Sequence, residues 1–261
     1  LQKISKNGDI SIKTSLWKYG NISNSIRLSS SRSADGVVLN INKIIQGNKV
    51  IAKYIFTTSK CANDGSYKRT LNEINITRFL GQKGIAPKIY DSYITNLKPN
   101  NSTKNTNYLL KNKKINLLHK YYLPNRNFKD RKYTHCFVII MQDLNYIGTQ
   151  KINSYTLNEA LHTGKKIPVQ KIHALIRAIT KLGVIHGDLH GGNIMIRYRK
   201  DKSKYSQDDL SNVKLVDFGR SLKLNRNLSD ENVNNVFDEL TEGLVSGMKM
   251  KNTLNMLNSI K

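Results

Sequence analysis

The chain has 261 residues, of which 38% are hydrophobic, and this is enough for one large domain or two small lobes around a buried core. Lys and Arg number 43 against 18 Asp and Glu, which gives a formal net charge of +25. This composition excludes a globally disordered chain. The charge either attracts polyanions, such as nucleic acid, nucleotide phosphates or acidic protein segments, or reflects a genome rich in Lys, Asn and Ile codons.

Cysteine content and hydropathy indicate the cellular compartment in which the protein is expected. Cys61 and Cys136 are too few for a disulfide scaffold, and no CxxC pair is present to bind zinc. We therefore expect a reducing, intracellular setting, either cytoplasm or nucleus. No apolar run approaches 18 residues, so no transmembrane helix is predicted, and the first residues lack the apolar core of a signal peptide.

The first half of the chain has the pattern of a sheet with one helix. Short apolar groups separated by Ser, Gly and Asn between residues 10 and 54 predict strands joined by turns. The segment SYKRTLNEINITRFLG predicts a helix that ends at Gly81. Two more strands are predicted in APKIYDSYI and THCFVIIMQDL. Between them, from about 95 to 133, lies a basic, Asn-rich insertion that is either a solvated loop or a polyanion-binding arm.

The second half has helical periodicity. The apolar spacing in IPVQKIHALIRAITKLG predicts a helix that starts at Pro168 and ends at Gly183. The run VKLVDFG predicts a strand, and a further helix capped by Ser229 follows it. A last amphipathic stretch contains Met248 and Ile260. We therefore predict a β-rich part over residues 1–144 and a helical part over residues 145–261.

The polar residues with the clearest chemical meaning lie in two loops. HGDLHGGN places Asp188 and Asn193 five residues apart after a predicted helix, and Asp217 opens DFG after an apolar strand. This order resembles the catalytic loop and the metal loop of the protein-kinase-like superfamily. Phosphoryl transfer needs a carboxylate that accepts the proton of the attacking hydroxyl, and oxygen ligands for magnesium. The resemblance implies that Asp188 is the base, that Asn193 and Asp217 bind Mg²⁺, and that ATP is the phosphate donor.

The same resemblance implies an α+β, two-lobed kinase-like fold. One lobe would be an antiparallel sheet with one helix, and the other a reduced, mainly helical lobe. Lys53 in VIAKYIF matches the lysine of the VAIK motif, and Glu73 on the following helix would hold it toward the ATP phosphates. In FVIIMQDL, Met141 would be the gatekeeper, and the main chain of Gln142 and Leu144 would meet the adenine edge.

The nucleotide-binding pattern is incomplete at the phosphate-covering loop. No GxGxxG motif precedes the VAIK-like lysine, and LSSSRSADGVVL is the best substitute. Its Ser31, Ser33 and Gly36 would cradle phosphate, as in the Ser- and Gly-containing loops of Rio kinases. The alternative is an ordinary hairpin turn. Ala52 would face the adenine.

Other departures indicate an atypical kinase. Gly187 replaces the arginine common before the catalytic aspartate, and His190 stands where protein Ser/Thr kinases usually carry lysine. HGDLHxGN is more typical of aminoglycoside- and choline-kinase-like proteins. The short stretch after DFG and the missing APE motif resemble the small kinase of the KEOPS tRNA-modification complex. Kinases of large DNA viruses are similarly reduced, and a viral source would add the virion to the expected locations.

Three functions follow from these patterns. The first is an atypical Ser/Thr protein kinase whose basic surface selects acidic or nucleic-acid-associated substrates. The second is a small-molecule kinase, which HGDLHGGN favours, although few residues follow the metal loop to build an acceptor pocket. The third is a nucleic-acid-associated module whose nucleotide site serves assembly or ATP hydrolysis, with the basic insertion contacting nucleic acid.

Overall fold

The computed structural model describes residues 2–4, 10–12, 36–57, 65–96, 135–198, 213–224 and 227–237. The chain divides into two compact units. The first comprises Leu1–Ile45, Val50–Leu71 and Tyr90–Met141, and the second comprises Gln46–Lys49, Asn72–Ile89 and Gln142–Lys261. The boundary predicted at residue 144 stays a prediction.

The described part of the first unit is mainly a six-stranded sheet of β1 (Gln2–Ile4), β2 (Ile10–Ile12), β3 (Gly36–Ile45), β4 (Asn48–Thr57), β5 (Ile89–Asn96) and β6 (His135–Gln142). Their order in the sheet is β2-β1-β5-β6-β4-β3. β1 is antiparallel to both β2 and β5. β3 and β4 are joined by Gln46 and Gly47, whose φ angles of 49° and 73° form the tight turn that suits an antiparallel hairpin.

The predicted helix of the first half is α1 (Ser66–Gln82), but its end differs from the prediction. The left-handed residue is Gly84, with φ 75°, and not Gly81. The N–H of Ile85 donates to Leu80 O and that of Gly84 to Gly81 O, at 3.0 and 3.2 Å, which is a Schellman ending. Gly81 has another role, because a Cβ there would lie 2.7 Å from the carbonyl oxygen of Pro87.

The second unit is built around one hydrophobic cluster that includes Ile76 and Leu80 of α1. The predicted amphipathic helix is α3 (Val169–Lys181), which follows Pro168 and ends before Gly183, so both predicted ends are confirmed. Residues 230–237 are helical, and Ser229 caps them as predicted through its Oγ, which accepts from the N–H of Asn232 at 3.3 Å. The cluster's side chains from α3 are Ile172, Leu175, Ile176 and Ile179.

Short elements complete this unit. The strand predicted in VKLVDFG is among them, and the others are too short for hydrophobic periodicity to reveal them. Helix α2 (Leu157–His162) has a capping box, in which Thr156 and Glu159 bond each other's main chain. The remaining elements are β7 (Tyr146–Ile147), β8 (Gln150–Lys151), β9 (Asn153–Thr156), β10 (Val184–Ile185), a 3-10 turn (Gly191–Asn193), β11 (Ile194–Tyr198), β12 (Val213–Leu215) and β13 (Leu222–Lys223).

These elements confirm the predicted α+β class, with an antiparallel sheet in the N-terminal region and few helices. Within the described ranges, no helix combines the length and apolar character needed to cross a membrane. Several predictions fall on residues outside the described ranges: Ser31 and Ser33, residues 97–133 of the basic insertion, and the last amphipathic stretch.

The capping box predicts the stability of α2. Thr156→Ala removes the side-chain acceptor of the Glu159 N–H, so we expect a loss of about 1 kcal/mol in the free energy of unfolding, measured by urea denaturation. Thr163→Ala, at the other end of α2, is the matched control and should cost less. Equal losses in the two variants would contradict the capping role.

Candidate active site

The two loops that are predicted to carry the catalytic and metal-binding residues are tied together at both ends. β10 pairs antiparallel with β13, and β11 pairs antiparallel with β12. Residues 186–193 connect β10 to β11, and residues 216–221 connect β12 to β13. Because each loop runs between the same two ladders, the loops must lie side by side.

Three hydrogen bonds join the loops directly. His186 Nε2 lies 2.9 Å from the carbonyl oxygen of Val216, and the Val216 N–H donates to Asn193 O at 3.0 Å. Ser221 Oγ donates to the carbonyl of His186 at 2.7 Å. Since a carbonyl only accepts, the His186 tautomer must carry its proton on Nε2. Both main-chain groups of Val216 therefore bond the catalytic loop.

Asn193 is a buried amide with a fixed orientation. Its Nδ2 donates to the main-chain carbonyl of Asp188 at 2.9 Å, and its N–H donates to His190 O at 2.8 Å. With the amide nitrogen bound to Asp188, the amide oxygen faces away from that carbonyl. This leaves an oxygen of the kind that magnesium prefers.

Asp217 has a backbone conformation that few residues other than glycine adopt. Its φ is 66°, in the left-handed region, which costs about 1–3 kcal/mol for a residue other than glycine. Its carboxylate lies beside Gly219, where a Cβ would be 3.6 Å from Asp217 Oδ1 and 3.7 Å from Glu73 Oε2. The structure thus brings the carboxylates of Asp217 and Glu73 to the same glycine.

The conformation of the metal loop is also held by α1 and by the core. Asn72 Nδ2 donates to the carbonyl of Ser221 at 2.6 Å. Phe218 is fully buried in the cluster that contains Ile76 and Leu80 of α1. These contacts fix the residues on both sides of Gly219.

Gly187 is explained by a close backbone approach. Its φ is 70°, and a Cβ there would lie 2.1 Å from the carbonyl oxygen of Arg220. No residue with a side chain fits without moving the metal loop, so the arginine that typical protein kinases carry here is excluded sterically. Arg220 itself places a guanidinium nitrogen, Nη1, 3.7 Å from Asp188 Oδ1.

The two histidines of the catalytic loop are held by the protein. His190 Nδ1 accepts the N–H of Gly192 at 3.0 Å, which fixes the ring to its own loop. His186 is fully buried, and its ring centroid lies 4.7 Å from that of Phe218. Burial lowers the pKa of His186, against smaller raising effects of the bond to Val216 and the charges of Asp217 and Asp188.

The residues predicted to bind nucleotide phosphates are described only in part. Gly36 begins β3. Lys53 in β4 belongs to the first unit and Glu73 to the second, and both are buried. Their pairing therefore stays a prediction.

The strand geometry of β4 bears on the predicted adenine contact. Ala52 packs in a buried cluster with Val50, Tyr93 and Ile140. Consecutive residues of a strand point to opposite faces, so Lys53 faces away from that cluster. Ile51, rather than Ala52, shares a face with Lys53. If Lys53 contacts the phosphates of a nucleotide, Ile51 is the better candidate for the adenine contact.

The predicted adenine edge is partly bonded to the protein. Met141 is buried in β6. The N–H of Gln142 donates to Lys88 O at 2.9 Å, and the carbonyl of Leu144 accepts from Arg197 Nε at 3.1 Å and from Ser154 Oγ at 2.6 Å. An adenine would therefore have to use the Gln142 carbonyl and the Leu144 N–H.

The side chains fit a magnesium ion that is shared with phosphates. Within the described part of the chain, no group of three or more His, Cys, Asp and Glu side chains could hold a metal ion. Asn193 and Asp217 supply one amide oxygen and one carboxylate from adjoining loops. Magnesium is commonly bound by one or two protein oxygens together with substrate phosphates, so this donor set suits it.

Arg220, Ser221 and Asn72 were missed by the sequence analysis. The only signal for the first two was their position directly after DFG. Asn72 belongs to no motif, and only its neighbour Glu73 matched the kinase pattern. Each became visible only through a contact with the other loop or with α1.

A family model described as the ABC1 atypical kinase-like domain matches residues 113–246, just over half of the chain. The match contains Met141, Asp188, Asn193 and Asp217, and it excludes Lys53 and Glu73, which lie upstream. No curated protein matches the sequence.

His186 predicts a pH dependence of stability. In the unfolded chain it titrates near 6.5, whereas in the folded protein burial keeps it neutral to lower pH. Protons therefore favour the unfolded state below pH 6.5, and the free energy of unfolding should fall as the pH drops below that value. In His186→Gln, which does not titrate, we expect a shallower fall in denaturant titrations between pH 7.5 and 5.

The exposed His162 supplies the control. His162→Gln should keep the pH dependence of the wild type, because this side chain lies in solvent and not in the core. A pH dependence of His186→Gln as steep as that of the wild type would contradict the assignment of this effect to His186.

Proposed function

Because the chain belongs to the ABC1 atypical kinase-like domain family, which supports a kinase-like phosphotransferase, we propose that it is an ATP- and Mg²⁺-dependent protein kinase. In this proposal it moves the γ-phosphate of ATP to a Ser or Thr hydroxyl. The observation that carries the proposal is the direct bonding of the loop containing Asp188 and Asn193 to the loop containing Asp217.

Each of these residues has a chemical role in the proposal. Asp188, whose side chain is 27% exposed, is accessible to a substrate hydroxyl and would accept its proton. The amide oxygen of Asn193 and the carboxylate of Asp217 would hold Mg²⁺, which supplies charge stabilisation at the phosphates. Lys53 would contact the ATP phosphates, and Glu73 would hold Lys53 in place.

The acceptor is proposed from charge. A chain with a net charge of +25 favours encounter with acidic partners, so we propose acidic or nucleic-acid-associated proteins as substrates. A free, buried Cys136, whose pKa burial raises to about 12, is compatible with the proposed reducing intracellular compartment. The second candidate is a small-molecule kinase, which the sequence HGDLHGGN favours.

Incubation with labelled ATP and magnesium distinguishes the candidates. Three reactions are compared: the protein alone, with dephosphorylated casein as an acidic acceptor, and with a mixture of aminoglycosides and choline. Label on casein supports the protein kinase, and label on a small molecule supports the second candidate. Release of free phosphate alone would contradict both and would favour a nucleotide-hydrolysing assembly module.

Substitutions test the roles of the carboxylates. We expect Asp188→Ala and Asp217→Ala to lower the rate of phosphate transfer by about 100-fold or more, because each removes a group needed in the chemical step. Lys53→Met should lower transfer and weaken ATP binding. Asp230→Ala is the matched control, since this exposed carboxylate bonds only Lys181 among its described contacts.

Circular dichroism at equal concentration verifies that each variant is folded. Transfer at the wild-type rate in folded Asp188→Ala or Asp217→Ala would contradict the assigned roles. Normal activity of Lys53→Met would mean that another lysine contacts the phosphates.

A further inference from the structure

Arg220 is the residue next to Asp188 for which the proposed reaction has no role so far. Its Nη1 lies 3.7 Å from Asp188 Oδ1, and its side chain is 59% exposed. It directly follows DFG, and it lies in the loop of residues 216–221 that is hydrogen-bonded to the loop containing Asp188.

The main chain of Arg220 is held by contacts, whereas its side chain is largely exposed. Its carbonyl oxygen lies against Gly187, at a position where any Cβ would collide with it. The next residue, Ser221, donates from Oγ to His186 O at 2.7 Å and from N–H to Phe218 O at 3.0 Å. β13 then pairs with β10. The side chain of Arg220 therefore projects from a fixed main-chain position next to the loop that contains Asp188.

The ion pair itself is weak. Charge-assisted hydrogen bonds between N and O measure about 2.7–2.9 Å, and a separation of 3.7 Å is well beyond that. Exposed ion pairs contribute little to stability, so the pair opens at little cost. A guanidinium has five N–H donors, which suit the oxygens of a phosphoryl group.

The distance to the reacting atoms follows from general catalytic geometry and rests on the proposed function. A base lies about 2.6–3.2 Å from the hydroxyl oxygen whose proton it accepts. In a reactive complex that oxygen is about 3–3.5 Å from the atom it attacks. Only the acceptor oxygen therefore separates the γ-phosphorus from the Asp188 carboxylate. Arg220 faces that carboxylate, so its side chain can reach the phosphoryl group.

We propose that Arg220 is a catalytic residue that leaves Asp188 when substrates bind and donates its N–H groups to the transferring phosphoryl oxygens. In this step the acceptor oxygen forms a bond to the γ-phosphorus while the bond from that phosphorus to the bridging oxygen of ADP breaks. The hydroxyl proton moves to Asp188, and ADP leaves. The guanidinium stabilises the negative charge of the phosphoryl group during transfer.

Neighbouring basic side chains have other contacts in the structure. His190 Nδ1 accepts the N–H of Gly192, so the ring is held by its own loop. Lys223 Nζ lies over the ring of Phe79, 4.1 Å from its centroid. Lys223 is close in sequence, exposed and positively charged, which makes it a matched control for Arg220.

Kinetic comparison of variants tests the proposal. Arg220→Ala should lower kcat for phosphate transfer by about 100-fold or more, with the KM for ATP changed only a few-fold, because the contact acts in the transition state. Arg220→Lys should keep part of the activity, since it keeps the charge. Added guanidinium at millimolar concentration should restore part of the activity of Arg220→Ala. Lys223→Ala should behave like the wild type.

Four results would overturn the proposal. The first is a kcat of Arg220→Ala equal to that of the wild type. The second is a raised kcat, which would mean that the ion pair restrains Asp188. The third is a loss confined to the KM for ATP, which indicates ground-state binding alone. If Arg220→Ala fails to fold, Arg220→Gln keeps most of the side chain and is used instead.

The fourth result is the absence of any turnover in the wild type, which would overturn the proposed function together with this inference. Turnover that requires Asp188 but is indifferent to Arg220 would overturn this inference alone.

Discussion

The candidate site depends on the two hydrogen bonds made by the main chain of Val216. One joins its carbonyl to His186 and the other joins its N–H to Asn193, so both ends of the catalytic loop are bound to the residue before DFG. Val216 is followed by Asp217 in a costly left-handed conformation and then by Phe218, which is fully buried. Residues fixed on both sides make that conformation tolerable, because strain persists only where the surroundings determine it.

The same constraint explains the composition of the catalytic loop. The close approach of Arg220 to the loop requires glycine at 187, and the bond from Ser221 to His186 requires a main chain that stays in place. His186 must remain neutral in this setting, because a charged ring would be buried beside Phe218 without a described partner for Nδ1. The sequence HGDLHGGN therefore specifies contacts with the loop of residues 216–221 as well as the predicted chemistry.

Much of the fold and the position of the candidate site could be predicted from the sequence. Long amphipathic or alternating segments can be recognised by their periodicity, and both ends of α3 were predicted correctly. HGDLHGGN and DFG located Asp188, Asn193 and Asp217 because these motifs combine order, spacing and flanking apolar runs. The family match, which includes all three, supports the coarse conclusion that the chain is a kinase-like phosphotransferase.

Contacts that join distant segments could not be predicted. The end of α1 was misplaced because Gly81 is required by the approach of Pro87, and a sequence does not distinguish that requirement from a helix ending. Ala52 was chosen for adenine by its place beside Lys53, although strand alternation puts Ile51 on the face of Lys53. Arg220 escaped notice because nothing in the local pattern reveals a carboxylate that is 32 positions away in the chain.

We propose that Asn193 and Asp217 together hold one divalent cation with the phosphates of ATP. A crystal structure with Mn²⁺ and a non-hydrolysable ATP analogue tests it most directly, because Mn²⁺ gives an anomalous signal and accepts the oxygen ligands of magnesium. We expect an anomalous peak about 2.0–2.3 Å from both the Asn193 amide oxygen and an Asp217 carboxylate oxygen. A peak bound to neither residue, with nucleotide present, would contradict it.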